Sequence, residues 1–496
     1  MKNLTTLLLL IFIALIFALT LKGNLGNPSP PIIEQELRER GQPFELSPER
    51  GRYALTQSLA EDKSFFLRPE IARYVTPDLG YLDGKYLSLF SPGISILATP
   101  LYLIGAQFNI AQVATFSLSA IFALLNFALI VKICQQLGLS LRSGLIAALT
   151  YLLATPAFAY SVSFYQHQTT AFLLLATTAL LFSKINLIKL TLSAFLSTFS
   201  FWIDSQNPIF FVPLVVYGLI CSFKVIKVKE NIKISIPLIN SLAIFGAIVV
   251  AVGYMFYSNV VYNHPLKLSG TVQSIGSFNE KNEPVPKRAG EEKIALRFFN
   301  PRHMIHGTST LITSQDRGIV LYSPIILFAI FGIPYMFQKE KQKVLILLST
   351  ILVVFTLYTM WGDPYGGWAF GPRYLIPAFG LSSIFLAATF DKFWQKFWFK
   401  ITFSALFTYS VAVNLLGALT TNQVPPKVEA VPLNMKWNFL LNWDMFVQGQ
   451  TSSFIYKTFL VQNIPLIYYS LFILATIIFL GLLLIWHPQR EAKIND

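Results

Sequence analysis

Phe44-Glu45-Leu46-Ser47-Pro48-Glu49-Arg50-Gly51-Arg52-Tyr53 sits in the middle of a polar stretch, residues 22–93, that separates two hydrophobic blocks. A helix start this polar belongs to neither block, so it marks a long loop outside a membrane. Ser47 is placed to cap the first turn, Pro48 fits the first helical position, and Glu49 meets the positive helix end. The predicted helix runs from Ser47 to about Asp62. On it Glu49, Arg52, Tyr53 and Thr56 fall at i, i+3, i+4 and i+7, so a carboxylate, a guanidinium, a phenol and a hydroxyl share one face. That face is expected to form one wall of an active site.

The rest of the chain fits this reading. Its 496 residues are 54% hydrophobic and 12% charged, too apolar for a soluble domain, and many runs are long enough to span a bilayer. The expected fold is therefore an all-α polytopic membrane protein. The net charge of +14 is spread over short loops between apolar spans and does not form one basic stripe, which speaks for topology and against a nucleic-acid partner. Cys134 and Cys221 have no metal-like spacing, so neither a disulfide framework nor a zinc site is expected. The apolar run Leu4 to Leu21 lacks a small-residue cleavage pattern before Lys22 and is taken as a retained first helix.

Within the first loop a short charged helix is expected to reach about Arg40 and end at Gly41, Asp83-Gly84 predicts a tight turn, and Ser91-Pro92-Gly93 leads into an apolar segment up to Gly105. Further spans are predicted at 111–133, 144–160, 168–183, 190–203, 208–223, 236–258, 318–337, 344–361, 373–390, 401–420 and 464–486, making about twelve with the first helix. Alternate short loops carry the basic residues: Lys132 and Arg142; Lys184 and Lys189; Lys224, Lys227, Lys229 and Lys233; Lys339, Lys341 and Lys343; Lys392, Lys396 and Lys400; Arg490 and Lys493. The turns 161–167 and 204–207 carry none. The positive-inside rule then puts both termini in the cytoplasm of a cell (plasma or inner) membrane, and loops 22–93, 259–317 and 421–463 outside. Residues 1–420 form the expected catalytic region; residues 421–496 add an outer loop, a last span and a short tail. With no phosphate-binding glycine loop and no strand–helix alternation, chemistry is expected at the outer face, on substrates delivered there.

Several constellations could serve it. Trp361-Gly362-Asp363-Pro364-Tyr365-Gly366-Gly367-Trp368-Ala369-Phe370-Gly371-Pro372-Arg373-Tyr374 stands at an outer boundary, where Arg373 is shaped to grip a phosphate; the alternative is an aromatic belt with a turn. Asp316-Arg317 offers a second acid and cation, or a boundary ion pair. His167 lies in a short outer turn as a lining residue or a hydrogen-bonded interfacial histidine, and Asp204 heads another as a second catalytic acid or a helix cap. His303 and His306 are spaced i, i+3 without a third ligand, so no metal is assigned, although a divalent ion is compatible with such chemistry.

The acidic residue before an Arg-Tyr helix, then "DGKYLSLFSPGISILATPLYLIG", "FYQH", "DRGIVLYSP" and "GGWAFGPRYLIP", resembles the GT-C superfamily of integral membrane glycosyltransferases, in particular members similar to protein O-mannosyltransferases and aminoarabinose transferases. The resemblance covers Met1 to about Thr420. It implies transfer of a sugar from a polyprenyl-phosphate donor to a hydroxyl of a lipid, glycan or protein outside the cytoplasm, usually with inversion and with no cofactor. It matches Glu49 to the catalytic acidic position, where the family usually has aspartate, and Arg373 to a lipid-phosphate contact. Arg52, Tyr53, Asp83, Lys85, His167, Asp204, Asp316, Arg317 and Tyr374 complete the expected donor- and substrate-binding set. The rival classes are a transporter or flippase, and a non-catalytic assembly protein of the envelope. The spans hold almost no buried charge and no visible repeat, which weighs against a coupled transporter.

Overall fold

The structure, a computed structural model, describes residues 2–37, 41–222, 224–228, 231–235, 238–287 and 299–486. Arg40, Lys229, Arg490 and Lys493, named above, lie outside the described residues. The elements run α1 (Lys2–Thr20), α2 (Pro30–Glu36), α3 (Ser47–Glu61), α4 (Pro69–Val75), β1 (Leu79–Leu82), β2 (Lys85–Ser88), α5 (Gly93–Gln107), α6 (Ala111–Gln136), α7 (Leu141–Leu153), α8 (His167–Leu181) and α9 (Leu187–Ile203). Next come α10 (Val212–Ser222), β3 (Lys224–Val228), β4 (Asn231–Ser235), α11 (Leu238–Ser241), α12 (Ile244–Tyr262), β5 (Gln273–Phe278) and β6 (Pro284–Pro286). The remainder is helical: α13 (Met304–Ile312), α14 (Ile319–Tyr322), α15 (Ala329–Lys339), α16 (Lys341–Thr359), α17 (Ile376–Phe393), α18 (Phe397–Leu419), α19 (Lys427–Ala430), α20 (Phe439–Val447) and α21 (Leu466–Trp486).

Among the described residues every expected span contains helix, but the helices are not equally long. Six helical segments among the described residues are long and apolar enough to cross a membrane: α6, α12, α16, the segment Arg373–Phe393, α18 and α21. Others, such as α5 with its 15 residues, reach only about 22 Å and cover less than a bilayer core of about 30 Å. The segment containing α17 is the most enclosed, 83% buried, and packs against α7, α8, α15 and α16; α12 and α21 are peripheral, and residues such as Phe256 and Phe479 face outward as a lipid-contacting surface. The chain is thus a predominantly helical, polytopic membrane protein.

The expected span 144–160 is corrected: α7 stops at Leu153, and residues 154–166 form buried irregular backbone. Pro156 lacks an N–H and disfavours helix at Thr155. Such backbone survives at membrane depth only where protein satisfies it. The Thr155 and Ser161 hydroxyls donate to the carbonyls of Tyr151 and Ala157, and the Gln168 amide also donates to Ala157.

The polar loops add β-structure that apolar periodicity did not announce. Strand order β2-β1-β5-β6 makes an antiparallel sheet from the first two long loops, with Leu79 opposite Ile275. Asp83 and Gly84, at φ 49° and 78°, turn β1 into β2 as the Asp-Gly pair predicts. A backbone bridge from Lys22 to Ser453 ties the first loop to the third, so all three long loops share one end of the bundle. At the other end Arg142 donates to the carbonyls of Leu484 and Ile485, closing the negative end of α21.

Candidate active site

The helix α3 forms where the sequence places it, but its cap differs. Leu46 is the N-cap residue and Ser47 is already helical; the Ser47 hydroxyl donates to Asp78 and not to the helix start. Gly51 has no Cβ because the Phe90 ring needs the space, which a Cβ would approach to 2.7 Å. That ring in turn lies 4.9 Å beneath the Arg52 guanidinium. A single glycine therefore sets where Arg52 stands.

Arg52 lines a cavity of about 520 Å³ at the loop-rich end, together with Arg373, Asp204, Tyr165, Gln166 and Tyr374. Asp78, Gln206, Trp361 and the loop Leu268–Thr271 complete much of the wall. Arg52 donates to the carbonyl of Pro48 at 3.1 Å, and Arg373 to that of Gly366 at 2.7 Å. Gly366 has φ +72°, and a Cβ there would crowd Tyr374 and the Arg373 Nε. Both guanidinium groups are buried, and in each the Nε has no partner among the described residues. Burial lowers Arg52 to about 10, opposed by Asp204, so the cation persists at neutral pH. Burial raises Asp204, while Arg52 and the Gln166 amide, which donates to it at 3.2 Å, favour its ionised form. Gln206 donates to the Tyr358 hydroxyl at 3.0 Å, and Tyr358 stacks on Tyr374 at 4.4 Å. Two cations, a half-buried carboxylate and aromatic faces thus meet in one recess, suited to an anion beside a hydroxylated ring.

The four residues of the α3 face separate. Glu49 is fully buried behind the wall, accepting from the Glu45 and Phe164 N–H groups at 3.3 Å and from the Tyr165 hydroxyl at 3.5 Å. Burial, reinforced by Glu45 and only partly opposed by Lys22, raises its carboxyl to about 8. Tyr53 is no cavity residue: it packs into an aromatic cluster with Phe44, Tyr102 and Phe116. The Thr56 hydroxyl bonds back to Arg52 O. Helical phase put these side chains on one face, but the partners packed against α3 gave each a different neighbour.

Other expected residues also part company. Asp83 and Lys85 are exposed in the hairpin, with Asp83 accepting from Asn263 and Lys85 lying over the Phe66 ring, away from the cavity. Arg317 donates to the carbonyls of Tyr365, Asp316, Gly367 and Val424 and so clamps the glycine-rich loop to the third long loop. Asp316 accepts from the Lys427 N–H at 2.7 Å, so backbone bonds hold both residues in place of either alternative, a ligand-binding acid and cation or a boundary ion pair. His167 starts α8 behind the wall, stacked on Tyr165 and edge-on to Tyr160. His306 is exposed against Tyr365, and among the described residues no three His, Cys, Asp or Glu side chains group as a metal site. Sequence reasoning passed over Asp78 and the loop 268–271, which carry no local signal, and undervalued Gln166, which its neighbour His167 overshadowed.

No family model and no curated protein matches the chain. Among solved structures, ArnT from Cupriavidus metallidurans in the apo state is similar at TM-score 0.52 with 11% identity, over 98% of this chain and 77% of that one. The same protein bound to undecaprenyl phosphate gives TM-score 0.50 with 11% identity, over 97% and 76%. At this identity the likeness speaks to the path of the backbone, and it agrees with the resemblance drawn from the motifs: the chain is a polytopic membrane protein of GT-C-like fold.

Proposed function

We propose that the chain is a membrane glycosyltransferase that moves a sugar from a polyprenyl-phosphate-linked donor to an acceptor hydroxyl at the extracytoplasmic face. The observation that carries this reading is the cavity in which two buried arginines, each with an unpartnered Nε, stand with the carboxylate of Asp204. A similar fold that binds undecaprenyl phosphate supports a lipid-phosphate ligand. Arg52 and Arg373 hold the phosphate and stabilise the charge it gains as its bond to the anomeric carbon breaks. The acceptor oxygen bonds to that carbon from the opposite side. Its proton goes to Asp204, and the polyprenyl phosphate leaves.

Asp204 is preferred over Glu49 as the base because it lines the cavity, whereas Glu49 is enclosed and holds its proton at neutral pH. Glu49 is the second reading, since Tyr165 both lines the cavity and donates its hydroxyl to the Glu49 carboxyl. The test incubates purified protein with a panel of polyprenyl-phosphate sugars and follows carrier consumption. Asp204→Asn is expected to cut transfer roughly 100-fold or more with donor binding nearly unchanged, and Glu49→Gln only a few-fold. The opposite ranking returns the base to Glu49; lipid translocation without consumption of any donor favours a flippase. The face is tested separately: a reporter active only outside, fused after Gly41 or Pro284, is expected to be active, and one fused at Glu230, which lies outside the described residues, inactive.

A further inference from the structure

Hydroxyls inside apolar helices normally bond back to the carbonyl one turn earlier. Around the contact of α8 with α9 and α10 most do: Thr178 donates to Leu174, Ser197 to Ser193, Thr198 to Ala194 and Ser222 to Gly218. Thr177 and Ser193 break the rule. Their hydroxyls are buried, the residues 1% and 6% exposed, with no partner among the described residues. Both residues line one cavity of about 420 Å³ whose other walls include Leu181, Leu190, Leu214 and Leu219, together with Asn240, whose amide is spent on the Ser222 carbonyl, and Ser241.

This cavity is distinct from the candidate active site. It is lined by α9 from Leu190 to Thr198, whereas Asp204 stands just beyond the end of that helix, about 20 Å from Leu190 and about 9 Å from Thr198 along its axis. Leaving two donors unsatisfied in an apolar recess is costly, and the volume far exceeds one water. What fits is a long apolar chain carrying an acceptor with two lone pairs and no donor of its own. A polyprenyl chain has no such acceptor along its length. An ester carbonyl has one, and it lies at the head of an acyl chain, at the shallow depth of Thr177, one turn from the end of α8.

We infer that this cavity binds the acyl ester region of a diacyl glycerophospholipid, with the Thr177 and Ser193 hydroxyls donating to its carbonyl, in the half of the bilayer opposite the candidate active site. The inference does not depend on the proposed reaction. The full chain, purified in detergent, is offered equimolar ester-linked phosphatidylglycerol and its ether-linked analogue of the same chain length, and retained lipid is read by native mass spectrometry. The ester form is expected to be retained about fivefold over the ether, the effect of one or two hydrogen bonds. Thr177→Val with Ser193→Ala is expected to bring the ratio to about one; Thr177→Ser with Ser193→Thr, which keeps both hydroxyls, is expected to preserve it. Equal retention by the unaltered chain, or an ester preference that survives loss of both hydroxyls, overturns the assignment. So does displacement of the ester lipid by equimolar undecaprenyl phosphate, which would give the cavity to a carrier chain.

Discussion

Arg317 and Arg373 each stand at the start of an apolar span and each touch the glycine-rich loop, yet the fold uses them in opposite ways. Arg317 spends its donors on four backbone carbonyls, from Asp316, Tyr365, Gly367 and Val424, and holds three parts of the loop-rich end together. Arg373 donates to one carbonyl, that of Gly366, and lies over the rings of Tyr165 and Tyr374 with its Nε unpartnered among the described residues. The difference shows that burial and charge do not mark a binding arginine. What marks it is hydrogen-bonding capacity left over once the fold has been satisfied, on a wall that a ligand can reach.

The contrast can be broken most forcefully at Arg317. Arg317→Ala removes the side-chain donor from four carbonyls, of which that of Val424 keeps the Ala369 N–H, and a loss of stability on the order of 3–5 kcal/mol is expected, read as a lowered thermal midpoint in detergent. The fraction that remains folded is expected to bind donor normally; intact stability with lost binding would exchange the roles of the two arginines. Arg373→Lys keeps the charge and loses the planar fork, so donor affinity is expected to fall about tenfold with little change in thermal midpoint. Undiminished binding of the lipid donor would remove Arg373 from the phosphate site.

The smallest effect is expected at Glu49, and it concerns pH. Its folded carboxyl titrates near 8 because burial holds the proton, whereas an unfolded glutamate titrates near about 4.3. The folded state binds the extra proton, so this residue's contribution is fully present below the unfolded value and is lost as pH rises through about 8. Thermal midpoints measured from pH 5 to 9 are expected to decline across that window, and Glu49→Gln is expected to flatten the decline. An unchanged slope would mean that Glu49 is ionised in the folded protein, which would revive it as the base.

The sequence by itself determined the membrane class, the helices of the bundle, the start region of α3 and the Asp83-Gly84 hairpin, because apolar run length, helix-start chemistry and turn residues act over a few neighbours. It also brought Arg52, Asp204, Arg373 and Tyr374 into consideration, the first by its place on the Glu49 face of α3 and the others because they stand at the ends of predicted spans. Only the tertiary structure decided that these four share a cavity while Tyr53, Asp83, Lys85 and Arg317 do not, and that Glu49 lies behind Tyr165. Helical phase fixes which residues leave one face together, but which partner each meets depends on contacts made far along the chain: Phe164 and Tyr165 for Glu49, Phe116 for Tyr53, and Val424 for Arg317. Those partners are 63 to 116 residues away, a separation across which no local pattern carries information, and only packing brings them together.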